Sequence, residues 1–144
     1  MNTPRLTPYL MFNGTCREAM TFYQHCLGGE LMVQTFADTP AAAHMPADAQ
    51  QNVMHSMLTT DDMLLMASDA GMGPVAKGDM VSLSINCHST EEIQRLFSLL
   101  SAGGTVTMPL EDTFWGATFG IFTDRFGIDW MLNYDKPAPD PQVA

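Results

Sequence analysis

Basic residues are what this chain of 144 residues has least of: six Lys and Arg stand against sixteen Asp and Glu, a formal charge of −10. Arg5, Arg17, Lys77, Arg95, Arg125 and Lys136 are scattered along the sequence, whereas a polyanion is held by clustered cations that displace its counterions. This argues against nucleic acid or an anionic membrane surface as a partner. Long apolar runs are missing too. The longest fully apolar stretch, Met63 to Ala67, is far too short to span a bilayer, and the opening Met-Asn-Thr-Pro-Arg-Leu-Thr-Pro has no apolar signal-peptide core. A cytoplasmic protein is expected. Cysteine is sparse and odd in number, at three, and Cys16 and Cys26 lie on one predicted helix. Ten residues of helix separate them by about 15 Å, too far for a disulfide, so buried, reduced thiols are expected. Charged residues make up only 15% of the chain and hydrophobic ones 46%, which excludes a disordered polymer. A chain of this length buries roughly two thirds of its unfolded surface, enough for a core without disulfides or a structural metal.

What is present is an internal repeat. Thr15, Phe22 and the pair Gly28-Gly29 recur at the same spacing as Thr90, Phe97 and Gly103-Gly104, an offset of 75 residues. Each copy reads as a helix. Cys16, Ala19, Met20, Tyr23, Cys26 and Leu27 form one apolar stripe, and Ile93, Leu96, Phe97 and Leu100 form the other. Thr15 with Glu18, and Ser89 with Glu92, have capping-box spacing, and the glycine pairs can take the positive φ that ends a helix. Strand-like segments flank both helices: 6–12, 30–36, 53–59 and 63–68 in the first half, and 80–87, 105–110, 118–123 and 128–134 in the second. The plan is βαβββ, twice. We expect a single domain over 1–136, made of halves at about 5–70 and 79–135 joined by Gly71 to Gly78, with a flexible tail at 137–144. Residues 37–52, with two prolines and no apolar periodicity, read as a long mobile loop, of the kind that serves as a lid, a partner contact or a plain insertion.

The words Pro8-Tyr-Leu-Met-Phe-Asn-Gly14, Ala19-Met-Thr-Phe-Tyr23, Leu27-Gly-Gly-Glu30, Met66-Ala-Ser-Asp69, Thr113-Phe-Trp-Gly116 and Thr123-Asp-Arg-Phe-Gly-Ile-Asp-Trp-Met131, in this order, resemble the PhnB-like branch of the vicinal oxygen chelate superfamily. That superfamily includes glyoxalase I, bleomycin-resistance proteins and extradiol dioxygenases. The resemblance implies an α+β fold of paired βαβββ units, with curled mixed sheets around a cavity, commonly in a homodimer. A ferredoxin-like α+β dimer is the competing architecture. The resemblance also implies a divalent metal held by His, Glu or Gln from the first and last strands of each half. Here those positions carry Pro8, Met66, Met80 and Met131. None is a hard-metal ligand; thioether sulfur prefers soft Cu(I), and in a chain with 13 Met these residues read as adaptable cavity wall. No cofactor is expected, with a divalent metal as the alternative. No Gly-x-Gly-x-x-Gly follows a strand, so nothing points to a methyl-donor nucleotide site.

Strand alternation supplies the remaining candidates. Val81, Leu83 and Ile85 alternate with Ser82, Ser84 and Asn86, whose polar face looks at water or into a cavity. If Met66 and Met131 point inward, Leu64, Ser68, Asp129 and Asn133 share their side, and Leu10 and Phe12 join them from the first strand. His55, inside an apolar strand, is either a hydrogen-bonded structural residue or a ligand contact and general base. Trp115 sits at the mouth of the site, or is a structural or dimer-contact residue. The candidate ligand-binding set is Phe12, His55, Met66, Ser82, Ser84, Trp115, Met131 and Asn133, with His55 as the candidate catalytic residue. The expected function is small-molecule binding or sequestration. The alternatives are a lyase or isomerase-like or other metal-dependent enzyme of the same superfamily, and an interaction module with a vestigial cavity.

Overall fold

The first apolar stripe becomes the shut side of helix α1 (Cys16–Leu27), where Cys16, Ala19, Met20, Tyr23 and Cys26 are buried. Burying side chains of this size stabilises the fold by about 1.5–3 kcal/mol for each large one. The second stripe does the same for α2 (Thr90–Ser101) through Ile93, Leu96, Phe97 and Leu100. The computed structural model describes residues 4–70 and 74–137; the tail beyond residue 137 and part of the Gly71 to Gly78 connector lie outside these. The chain divides into two units, Met1–Ala76 and Lys77–Ala144.

In the first unit, α1 and strands β1 (Tyr9–Phe12), β2 (Glu30–Thr35), β3 (Val53–Thr59) and β4 (Leu64–Asp69) build a sheet of order β1-β4-β3-β2. In the second, α2 and strands β5 (Leu83–Asn86), β6 (Thr105–Asp112), β7 (Ala117–Thr123) and β8 (Asp129–Asp135) build the same order, β5-β8-β7-β6. The first strand of each unit runs parallel to the last, and the other pairs are antiparallel. These two mixed four-stranded sheets, each with one helix, are the expected βαβββ plan. Each is an open sheet rather than a closed barrel. The first strands begin later than the sequence indicates, at Tyr9 and Leu83, and Leu6, Met80 and Val81 ahead of them stay exposed.

The second glycine of each pair marks where the helix end meets the sheet. A side chain on Gly29 would collide with the backbone carbonyl of Thr59, and one on Gly104 with that of Thr123. Both threonines end the third strand of their unit. The repeat of 75 residues thus records one close approach made twice.

The two helices are capped differently. Ser89 Oγ accepts from the Glu92 amide at 3.0 Å, while the Glu92 carboxylate accepts from the His88 amide at 2.8 Å. The predicted capping box is present there, displaced by one residue on its return bond. Thr15 makes no side-chain cap bond. Its place is taken by Asp69 at the end of β4, whose Oδ1 accepts from the Cys16 amide at 2.9 Å and whose Oδ2 accepts from the Val53 amide at 2.8 Å. This carboxylate, only 4% exposed, ties α1, β3 and β4 together on the helix side of the sheet. A nearby sequence match therefore missed a long-range cap.

Segment 37–52 is more ordered than a long loop. It holds three short 3-10 turns, Phe36–Asp38, Pro40–His44 and Ala47–Ala49. Asp38 accepts from the Thr35 amide and hydroxyl, and Gln50 Nε2 donates to the Ala42 and Met45 carbonyls.

Replacing Asp69 by Ala leaves two buried amides without partners, so it is expected to cost about 3 kcal/mol or more in urea unfolding. Thr15→Ala is expected to stay within about 0.5 kcal/mol. A loss of about 1 kcal/mol, typical of a missing N-cap, would put the cap back on Thr15.

Candidate functional site

In a sheet, residues opposite each other in register point to the same side. Leu10, Phe12, Ala67 and Asp69 share one side of the first sheet, as do Leu31, Val33, Ser56, Leu58 and Leu65. Asp69 holds the helix, so this is the side that α1 covers. Phe12, 4% exposed and paired with Asp69, therefore lies on the helix side, and its expected place in the ligand-binding set is corrected. Tyr-Leu-Met-Phe is apolar throughout, so nothing in that strand shows which alternate pair faces the core.

The opposite, open side is organised in rows across the strands. Met32 pairs with Met57, Met57 with Met66 and Met66 with Tyr9, giving one row that crosses all four strands. The next row carries Gln34 paired with His55, and Met11 paired with Ser68. On the other flank, Glu30 pairs with Thr59 and Thr59 with Leu64. A methionine row thus lies between two rows with hydrogen-bonding groups. Tyr9 and Met32, at the two ends of the row, are 44% and 43% exposed, so the row is accessible along its edges.

Tyr9 reaches over the intervening strand β4 to His55. Its hydroxyl lies 3.0 Å from His55 Nδ1, and the two rings stack with centroids 5.7 Å apart and planes 20° apart. Tyr9 was not among the sequence candidates. The hydrogen bond fixes the imidazole orientation and leaves Nε2 as its unengaged nitrogen. A phenol and an imidazole in direct contact can hold a polar group of a ligand or move a proton.

The second sheet repeats the arrangement with different chemistry. Met108 pairs with Ile121, Ile121 with Met131 and Met131 with Ser84. The neighbouring row is Glu111, Phe119, Asn133 and Asn86. Met131, Asn133 and Ser84 therefore share the open side as expected, while Trp130 and Leu132 lie on the helix side. Ser82 precedes β5 and is exposed. Trp115 is 55% exposed and contacts Phe119 edge-on, with centroids 6.1 Å apart, which places it beside this open face. On the same face Asp129 accepts from the Thr123 hydroxyl at 2.6 Å and pairs with Lys77 at 3.0 Å. These bonds, the Thr123 one first, hold its carboxyl below the usual range.

The fit to a hard divalent metal is poor. Across from Met66 stands Tyr9, and across from Met131 stands Ser84, while Pro8 and Met80, the positions that the resemblance implies, precede β1 and β5. Thioether, phenol and hydroxyl groups are not the carboxylate and imidazole set such an ion takes. Among the described residues no three His, Cys, Asp or Glu side chains come together as a metal site. The cysteines are equally quiet. Cys16, Cys26 and Cys87 are buried and form no disulfide, and burial pushes the Cys16 and Cys87 thiols up to about 11. Both are neutral thiols at neutral pH and weak nucleophiles.

A family model described as 3-demethylubiquinone-9 3-methyltransferase matches residues 4–133. Protein YjdN of Escherichia coli K12 is 34% identical over 146 aligned positions, covering 93% of this chain and 97% of YjdN. The crystal structure of PA1353 from Pseudomonas aeruginosa superposes with a TM-score of 0.83 at 44% identity, over 94% of this chain and all of that one. The PhnB protein of Bacillus cereus superposes at 0.75 with 25% identity, over 91% of this chain and 99% of that one. A glyoxalase/bleomycin resistance protein/dioxygenase domain from Frankia shares the fold at 0.65 with 13% identity, over the whole of this chain and 99% of that one.

Proposed function

The chain belongs to the 3-demethylubiquinone-9 3-methyltransferase family, the PhnB-like branch of the glyoxalase/bleomycin-resistance fold, and from that premise we propose that it is a small-molecule-binding protein. The observation that carries the reading is the open side of the first sheet, where the Met32–Met57–Met66 row ends in the Tyr9–His55 pair. Adaptable apolar floor with a few convergent polar groups is the usual composition of a small-molecule site. The ligand lies along the methionine row and presents a hydrogen-bonding group to His55 and Tyr9. Glu30 and the net charge of −10 disfavour an anion. The second sheet offers Ser84, Asn86 and Asn133 as further polar groups on its own open face.

Methyl transfer is not part of this proposal, because the sequence carries no glycine-rich nucleotide turn after a strand. Proton transfer is the second reading, favoured by the Tyr9–His55 contact at 3.0 Å: an imidazole positioned by a phenol is a serviceable general base for an isomerase or lyase. A reducing compartment suits three buried cysteines that form no disulfide. Among the described residues no helix is long and apolar enough to cross a membrane.

A panel of uncharged metabolites with one apolar and one hydroxyl or carbonyl end should contain a stabilising compound. At about a hundredfold excess over its Kd it raises Tm by roughly 5–10 °C. His55→Ala and Tyr9→Phe should each weaken that compound about tenfold, the worth of one buried hydrogen bond. Binding untouched by either substitution would move the site elsewhere, and no stabilisation across the panel would contradict the binding reading. If His55 also acts as a base, His55→Ala lowers kcat on an identified substrate by about a hundredfold or more. We also propose that no divalent cation is resident. Protein purified without chelator should show none by elemental analysis, and a near-stoichiometric divalent ion would overturn this.

A further inference from the structure

We propose that the methionine row of the first sheet is a binding site for a soft monovalent cation, Cu(I) or its analogue Ag(I), with Met32, Met57, Met66 and His55 as ligands. This goes beyond the small-molecule reading and needs no organic ligand.

The geometry supplies the donors. Met57 is flanked in register by Met32 on β2 and by Met66 on β4. Directly opposed residues have Cβ atoms roughly 4.5–5.5 Å apart, and each methionine side chain has three rotatable bonds. The two outer thioethers can therefore lean over the central one and converge on a single ion. His55 lies two residues from Met57 on the same strand and the same face, roughly 7 Å along it. Its Nδ1 is engaged by the Tyr9 hydroxyl at 3.0 Å. When Nδ1–H donates to that oxygen, Nε2 carries the free lone pair, the arrangement in which a hydrogen-bond partner on the other ring nitrogen sets the tautomer of a ligating histidine.

The donor set also decides which ion. Thioether sulfur and imidazole suit Cu(I), whereas carboxylate and carbonyl oxygen suit hard ions. The row itself contains no carboxylate; the nearest acidic residue in register, Glu30, lies in the flanking row with Thr59 and Leu64. The site is thus matched to a soft ion by the same substitutions that unsuit it to a hard one. Competing thiols are set apart: Cys16 and Cys26 are 0% and 1% exposed and Cys87 is 7% exposed. Cys16 lies on the helix side, bonded to Ser56, and its thiol is neutral at pH 7.

The test is titration of the full chain, labelled at the methionine methyl carbons, with Ag(I) in chloride-free buffer, followed by NMR. Cu(I) affinity is measured in parallel by competition with a chromogenic Cu(I) chelator. One equivalent should shift the methyl signals of Met32, Met57 and Met66 together and leave Met80, which is 96% exposed, unchanged. Met57→Leu and, independently, Met66→Leu keep the volume of the face and should each lower Cu(I) affinity at least tenfold. Tyr9→Phe should lower it roughly tenfold through loss of imidazole orientation, and Met80→Leu should change nothing. Uniform shifts that include Met80, first binding at cysteine, or unchanged affinity in both leucine variants would each overturn the site. Failure of the metabolite panel leaves these readouts intact, so the two proposals fall separately.

Discussion

The open face of the first sheet depends on the other face being shut, and a single buried carboxylate holds it shut. Asp69 accepts the first amide of α1 and the first amide of β3 from the end of β4. Charge-assisted bonds of this kind are short and strong when desolvated, and the helix N-terminus favours the negative charge. Three elements distant in sequence are thereby fixed on one side. Phe12, Ala67 and Leu65 are committed to the core, with the half-buried Leu10 on their side, and their neighbours Tyr9, Met11, Met66 and Leu64 are turned the opposite way. In the second unit the buried Asp124 has a more local task. It accepts from the Phe126 and Ile128 amides and from the Trp130 indole, and so shapes the β7–β8 turn.

Duplication has preserved the scaffold while letting the surface chemistry diverge. Both units place a thioether in the middle row of the last strand, Met66 and Met131. Both place a hydroxyl across from it on the first strand, phenolic in Tyr9 and aliphatic in Ser84. Only the first adds an imidazole in contact with that hydroxyl. The helix sides differ too. Ser56 bonds the Ala67 carbonyl and approaches Cys16 in one unit. In the other, Gly120 leaves room for the Phe97 ring, which packs edge-on against Phe122 at 5.0 Å. The polar rows, where the units differ most, are where specificity resides in this account.

The sequence carried the plan but not the pairing. The two helices and eight strands were readable because stripes at helical spacing and the repeated glycine pairs are local signals, and both glycine pairs answer to one backbone contact. The open-side assignments of Met66, Met131, Ser84 and Asn133 were readable because Val81 to Asn86 alternates strictly and Trp130 and Leu132 bracket Met131. Phe12 was misplaced because Tyr9 to Phe12 has no polar residue to set its phase. Tyr9 and the methionine row were invisible for another reason: they exist only once β1, β4, β3 and β2 are laid side by side. The cap on α1 was likewise hidden, since Asp69 lies 53 residues from the amide it accepts.

Two adjacent residues of β1 give the sharpest check on this sidedness. Met11→Cys and Phe12→Cys variants of the full chain are treated with a maleimide under conditions where circular dichroism shows both folded, and the modified peptide is quantified over time. The native thiols, all buried, contribute little background. With Tyr9, Met11, Met66 and His55 on the accessible face, Met11→Cys labels rapidly and Phe12→Cys only at the rate of unfolding. Labelling of Phe12→Cys as fast as Met11→Cys, or faster, would place the working face on the other side of the sheet and contradict the account.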